Sequence, residues 1–370
     1  MSARPERLRT GEANGPVRPV FREVRMTTTT ERPSFAVVSG RQVVDVLDGR
    51  HREMTELVAA TYRAHGEALT INPPSYFLRF PDRPSSRIIA LPASVGGEVG
   101  VDGLKWISSF PENIDSGLPR ASAVLILNDR ETGYPFACLE ASVISATRTA
   151  ASAALAAEVL AGPRRPRSIA VIGAGLIARY TCDFLTGTGW EFDRAEVFDL
   201  DPRHSAALGE HLRSRGTAAE VTVRDTAADA IGRADLVVFA TVAGAPHQHD
   251  PAVFAHNPLV LNISLRDLSP EVVLASHNIV DDVEHCLKAD TSVHLTEQRT
   301  GSRDFLAGTL FDVMAGTVSL PHDRPTIFSP FGLGVLDLAV GKYVYDELAA
   351  RGELHSVDGF FHELSRHSAG

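Results

Sequence analysis

Lysine is nearly absent. Only Lys105, Lys288 and Lys342 stand among the 36 lysine and arginine residues of this 370-residue chain, so a lysine in an apolar segment draws attention. Cysteine is equally rare: Cys138, Cys182 and Cys286 are odd in number, scattered and without metal-ligand spacing. That excludes a disulfide framework and a zinc site. No uninterrupted apolar run approaches the roughly 20 residues that cross a bilayer, so no membrane span is expected. An excess of positive charge is also missing. Against 46 acids the net charge is −10 and the pI near 5.8, with no long basic tract, which argues against a nucleic-acid binder. The pair His247-x-His249 lacks further clustered ligands, so no metal is expected. What remains is a soluble, cytoplasmic chain, 44% apolar and long enough for two domains.

The first 33 residues are rich in arginine, poor in apolar content and carry the tract Thr27-Thr28-Thr29-Thr30. They read as a disordered extension rather than a secretory signal, because no apolar h-region follows. From 34 to 163, a helix near Glu53–Thr70 precedes short apolar runs broken by proline and glycine. These include Phe77-Leu78-Arg79-Phe80, Arg87–Leu91, Gly103–Ile107 and Ala123–Leu127. They predict strands joined by hairpin turns, one of them at Asn128-Asp129. An alanine-rich helix over Leu139–Leu160 stops at Gly162-Pro163. Residues 164–298 then alternate uniformly apolar strands with helices. The strands are Ser168–Ile172, Ala195–Phe198, Glu220–Val223, Leu236–Ala240, Leu259–Ile263 and Asn278–Val280. The fold class is therefore α/β, with a Rossmann-type doubly wound parallel sheet and a second α+β part. Residues 299–363, with a helix at Val335–Arg351, are expected to return to the first part.

Ile169-Ala170-Val171-Ile172-Gly173-Ala174-Gly175-Leu176-Ile177-Ala178 reads as strand, Gly-x-Gly-x-x-Ala and helix. Gly173 makes the tight turn, Gly175 admits a pyrophosphate to the helix start at Leu176 and Ile177, and Ala178 lets the helix pack on the strand. The second strand ends in Asp199, 21 residues after Ala178. An acid there accepts the ribose hydroxyls and favours NAD over NADP. Asp201 is the fallback for that role, and Arg203 is the dissenting feature, because an arginine there can hold a 2′-phosphate.

Further strings carry a resemblance: Gly117-Leu118-Pro119, Val124-Leu125-Ile126-Leu127, Thr132-Gly133-Tyr134-Pro135 and Arg148-Thr149-Ala150-Ala151 ahead of the glycine turn. With them the chain resembles the ornithine cyclodeaminase/μ-crystallin family from about Phe35 to Glu363. The resemblance implies a homodimer built through the first part, with the C-terminal segment returning to it. It also implies site residues. Arg79, Lys105 and Arg148 fall on substrate-binding positions, and Asp267 on the catalytic acid. Thr149 would face a cofactor phosphate. Thr241, Ser264, Ser329 and Gly332 fall near the cofactor. Two departures stand out: a family glutamate maps to Ala90, and the residue before the acid is Arg266 rather than a small one. Both suit a polycarboxylate better than a cationic diamine.

Phe77–Pro81, Lys105–Pro111, Asp281–Asp290 and Phe328–Gly334 resemble one branch of that family, dehydrogenases acting on N-(2-amino-2-carboxyethyl)-L-glutamate in siderophore or antibiotic biosynthesis. The reaction so implied is oxidation of a secondary amine by NAD, then hydrolysis. Asp267 would be the base. Arg79, Arg148 and Arg266 would hold carboxylates bidentately, and Lys105 would stand beside the reacting carbon. The partner is thus a small amino-acid conjugate, with neither nucleic acid nor membrane. Two rival readings remain at this point: a cyclodeaminase that turns ornithine into proline and ammonia, and a non-catalytic nicotinamide binder.

Overall fold

The computed structural model describes residues 33–361. Pro33 apart, the extension expected over 1–33 lies outside the described residues, as do 362 and 363 of the expected return segment.

Two eight-stranded sheets organise this part of the chain. The first is mixed. Its long strands Arg83–Val95, Val101–Ser109, Ala121–Asn128 and Pro135–Glu140 run antiparallel in chain order, and Tyr76–Phe80 and Thr70–Ile71 both pair with Arg83–Val95. The far edge is built by Ala36–Val38, parallel to Pro135–Glu140, and by His355–Ser356. The turn expected at Asn128-Asp129 is present, with Asn128 opposite Pro135.

In the second sheet every pairing is parallel. Its order begins with Ala218–Val223, Phe192–Phe198, Ser168–Ile172 and Leu236–Phe239. It continues through Leu259–Asn262, Thr326–Ser329, His277–Val280 and Leu306–Thr309. Chain order reverses direction between Ser168–Ile172 and Leu236–Phe239, a topological switch point that opens a crevice at the carboxyl ends of the strands. Helix Leu176–Gly187 follows the first strand, and Pro202–Arg215 packs on its neighbours. Four consecutive strands are buried throughout, as parallel strands covered on both faces must be.

One expectation needs correction. The return to the first part was placed at 299, yet Leu306–Thr309 and Thr326–Ser329 belong to the second sheet. Helix Leu310–Met314 between them already packs on helix His51–Gly66, where a Cβ on Gly66 would overlap the Phe311 ring, and helix Gly334–Arg351 then packs on the antiparallel strands. Four-residue apolar segments between loops carry no period that distinguishes a central strand from loop.

Helix Ser142–Ala161 joins the two halves. It is long and apolar enough to cross a bilayer, yet 72% of its most apolar 18-residue stretch is buried inside the protein. Alanine, the strongest helix former, also lets its neighbours approach on every side. Gly103 does the same on the sheet: a Cβ there would overlap the Ile126 carbonyl and the Leu338 side chain. Helix Gly334–Arg351 can therefore lie directly over strand Val101–Ser109.

Candidate active site

The close approach at Gly103 places Asp337, in the first turn of helix Gly334–Arg351, against Lys105. Lys105 Nζ donates to Asp337 Oδ2 at 2.6 Å and to Ser145 Oγ at 3.2 Å. Arg148 Nε donates to the other oxygen, Oδ1, at 3.2 Å. Lys105 is 2% exposed and Asp337 fully buried. Two cations thus share one carboxylate away from water. Burial, opposed by Asp337 and reinforced by Arg148, pushes the Lys105 ammonium down to about 8, so it can release a proton near neutral pH. Reading the sequence missed Asp337, although it is the only charge within Val335-Leu336-Asp337-Leu338-Ala339-Val340.

Arg148 also shapes the loop after strand Thr326–Ser329. Gly332 has φ +94°, and a Cβ there would stand 2.5 Å from a guanidinium nitrogen of Arg148. Asp281 fastens that loop, accepting from Phe331 N at 2.9 Å and Gly332 N at 2.7 Å. Ser329 is buried, and its Oγ accepts from Asn262 Nδ2. Thr149 turns its hydroxyl to the Ser145 carbonyl within its own helix.

A second cluster lies at the carboxyl ends of Leu236–Phe239 and Leu259–Asn262. Asp267 is fully buried. Its Oδ1 accepts from Thr241 Oγ1 at 2.5 Å and pairs with His247 Nε2 at 2.9 Å, and its Oδ2 accepts from Ser264. The acid read from the sequence as a water-activating base is thus enclosed by its own loops. Of its partners, His247 reaches solvent, 37% exposed. The sequence sets His247-x-His249 aside as a metal pair and expects it in the loop after Thr241, near the nicotinamide side of the cofactor; in that loop the His247 ring meets a carboxylate. Among the described residues no group of three or more His, Cys, Asp or Glu side chains is arranged to hold a metal ion.

The glycine turn lies at the switch point. Gly173 has φ +90°, and a Cβ there would press on the backbone of Ala240 and Thr241. Gly175 caps helix Leu176–Gly187 without any side-chain bond, and nothing stands within 4 Å of where its Cβ would be. The first helical amides, at Leu176 and Ile177, thus have no side-chain cap and begin beside open space at Gly175, the arrangement that receives a phosphate. Asp199 ends the adjacent strand and accepts from Ala174 N at 2.7 Å, which holds it beside the turn. Arg203, the residue that argued for a 2′-phosphate, is clamped to Asp201 at 2.7 Å. These residues fit a dinucleotide.

Arg79 and Arg266 stand apart from both clusters. Arg79 is exposed and lies over the Phe77 ring, 5.0 Å from its centre. Arg266 donates to the Ala289 carbonyl at 3.0 and 2.6 Å rather than to Asp267 or Glu271. Ala90, where the sequence suggested a lost acid, sits opposite Trp106, on the face away from Lys105. The register position sharing the Lys105 face is Leu91, equally apolar.

The ornithine cyclodeaminase/mu-crystallin family model matches residues 41–352. The N-((2S)-2-amino-2-carboxyethyl)-L-glutamate dehydrogenase of Staphylococcus aureus is 27% identical, over 83% of this chain and 94% of its own length. Among solved structures, the Δ1-pyrroline-2-carboxylate reductase of Thermococcus litoralis, in complex with NADH and L-proline, superposes with a TM-score of 0.80. It is 21% identical and covers 87% of this chain and 100% of its own. An archaeal alanine dehydrogenase dimer with bound NAD gives a TM-score of 0.78 at 23% identity, covering 88% and 100%.

Proposed function

The chain belongs to the ornithine cyclodeaminase/mu-crystallin family, and from that premise we propose that it is an NAD-dependent oxidoreductase acting on the CH–NH bond of a secondary amine. Its substrate in this reading is N-(2-amino-2-carboxyethyl)-L-glutamate. With water and NAD it yields L-2,3-diaminopropionate, 2-oxoglutarate, NADH and a proton, a step that supplies siderophore or peptide antibiotic assembly. The observation that carries the reading is the buried pair Lys105 and Arg148 on Asp337, on the sheet face that also bears Arg79. The relative from Staphylococcus aureus supports the choice of substrate.

Bound NAD supplies the hydride acceptor. The amides of Leu176 and Ile177, with Gly173 and Gly175, hold its pyrophosphate, and Asp199 takes the ribose hydroxyls. Thr149, Thr241, Ser264, Ser329 and Gly332 line the remainder of its bed. Lys105 and Arg148 hold the carboxylate beside the reacting carbon, and Lys105, with its lowered pKa, exchanges a proton there. Asp267 orients His247, whose exposed ring passes protons to and from water. In this division the parallel sheet serves NAD, and the first sheet with its returning helix serves the substrate.

The outer face of the first sheet carries Tyr76, Ala90, Trp106 and Val124 in one cross-strand row, with Leu78 beside it. Tyr76 is 71% exposed and Trp106 39%. Such an apolar face is the proposed homodimer surface. Sedimentation at twice the chain mass, reduced to a single mass by Trp106→Glu, checks this.

The activity is tested by adding N-(2-amino-2-carboxyethyl)-L-glutamate and NAD. Absorbance at 340 nm should rise in step with 2-oxoglutarate. Conversion of ornithine to proline and ammonia without net NADH would replace this reading with a cyclodeaminase. Tight NAD binding without turnover of either compound would leave a binder.

A further inference from the structure

The first sheet carries a second row of cations that the chemistry at the reacting carbon does not use. Arg79 stands opposite Arg87, and Arg87 opposite Ser109. Directly paired residues of antiparallel strands project to one face, so these three side chains lie together. Lys105, opposite Leu91, shares that face. Two full pleats separate the levels, about 13 Å along the strand. Arg120 Nη1 donates to Ser109 Oγ at 2.8 Å and so brings another guanidinium to the row.

A fourth comes from the second sheet. Arg266 follows Leu265, whose φ of +78° is unusual for a branched residue. The Leu265 carbonyl is fixed by Ser292 N at 2.8 Å, and the Arg266 guanidinium by the Ala289 carbonyl. A strained backbone held from both sides aims this side chain. Burial, then repulsion from Arg266, Arg120 and Arg79, lowers the affinity of Arg87 for its proton. The four charges therefore act on one another.

Exposed arginines such as Arg41, Arg63, Arg164, Arg165, Arg179 and Arg194 need no acid beside them. Of those partly shielded from solvent, Arg50, Arg148 and Arg224 each meet a carboxylate, whereas among the described residues Arg87, Arg120 and Arg266 do not. Arg167, Arg224 and Arg303 each have two carboxylates within 4.0 Å. Among the described residues, Arg79, Arg87, Arg120 and Arg266 have none. Asp290 and Asp267 act on Arg266 only from beyond that distance. Arg87 has no hydrogen-bond acceptor at all among the described residues. Like charges set directly opposite in a sheet are destabilising, and guanidinium groups held by hydroxyls and carbonyls remain free to bind carboxylates bidentately.

We propose that Arg87, Arg120 and Arg266, with Arg79, form an anion subsite for the arm of the substrate remote from the reacting carbon, and that they select a polycarboxylate conjugate over a simple amino acid. The identity of the arm rests on the oxidative reading above; the binding of a carboxylate there does not.

The test uses the full chain with Arg87→Gln and, separately, Arg120→Gln. For N-(2-amino-2-carboxyethyl)-L-glutamate, KM should rise about 10- to 100-fold while kcat stays within about threefold, the pattern of lost uniform binding. Arg87→Lys should recover part of the loss. An analogue lacking the carboxylate of the remote arm should not distinguish wild type from variant. An unchanged KM in both variants, or an equal loss with the truncated analogue, overturns the subsite. If the wild type turns over no conjugate, calorimetry with 2-oxoglutarate in the presence of NAD separates the two ideas. Binding to the wild type that Arg87→Gln abolishes upholds the subsite although the oxidative reading fails. Equal binding, or none to the wild type, overturns the subsite.

Discussion

Lys105 and Arg148 meet the carboxylate of Asp337 inside the protein, whereas Arg79 and Arg87 face each other across two strands with no acid in reach. Lys105, Arg79 and Arg87 lie on one face of one sheet, and Arg148 and Asp337 reach Lys105 from helices. In the first group, two cations share one acid, so both are held rigidly, one positive charge is left over for a substrate carboxylate, and Lys105 is tuned toward neutral pH. The second is left charged, although the chain as a whole is acidic with a net charge of −10. Global charge therefore says little about a pocket. What matters is which cations the fold supplies with a counter-charge and which it leaves to a ligand.

The difference can be broken first at Asp337. Asp337→Asn leaves Lys105 and Arg148 buried without compensation, and unfolding in urea should show a loss of about 3–5 kcal/mol. A loss no larger than that of a surface substitution would mean the cluster is not paired as described.

Titration separates the groups next. Lys105 is protonated below about 8 and loses its charge above that pH, so the affinity for an anionic substrate is greatest on the acid side. KM should climb by up to about tenfold per pH unit above 8. The arginine row stays charged throughout this range and should respond to salt instead. A KM that is flat from pH 6.5 to 9.5 contradicts the role given to Lys105.

The smallest effect is the most pointed. Arg87→Gln removes one of two opposed like charges, so stability should hold or increase by about 0.2–1 kcal/mol even as substrate affinity falls. A destabilised variant would show that Arg87 serves the fold rather than a ligand.

Much of this was legible along the chain. The glycine turn, the strand Ser168–Ile172 and the helix after it are local features, written in a dozen consecutive residues. Lys105 could be found because it is a lone charge in an apolar strand. Asp337 carries the same signal in its helix, but its partner stands on a strand 232 residues away, and only the packing of that helix on the strand gives the charge its meaning. Arg87 gives no such signal. It is one of 36 lysine and arginine residues, and its meaning depends on a strand register that one residue of slip would invert. His247 is legible as part of the loop after Thr241, but its pairing with Asp267 is not, since the acid lies on another loop, 20 residues on.

Apolar periodicity, turn chemistry and the Gly-x-Gly-x-x-Ala spacing were enough to specify an α/β chain with a dinucleotide turn, because each depends on near neighbours. The pairings that make the site could not be read that way. Lys105 and Asp337 are 232 residues apart, and they meet only because Gly103 lets a helix settle on a strand. Where a charge finds its partner across such a separation, packing and register determine the outcome, and both are properties of the folded chain.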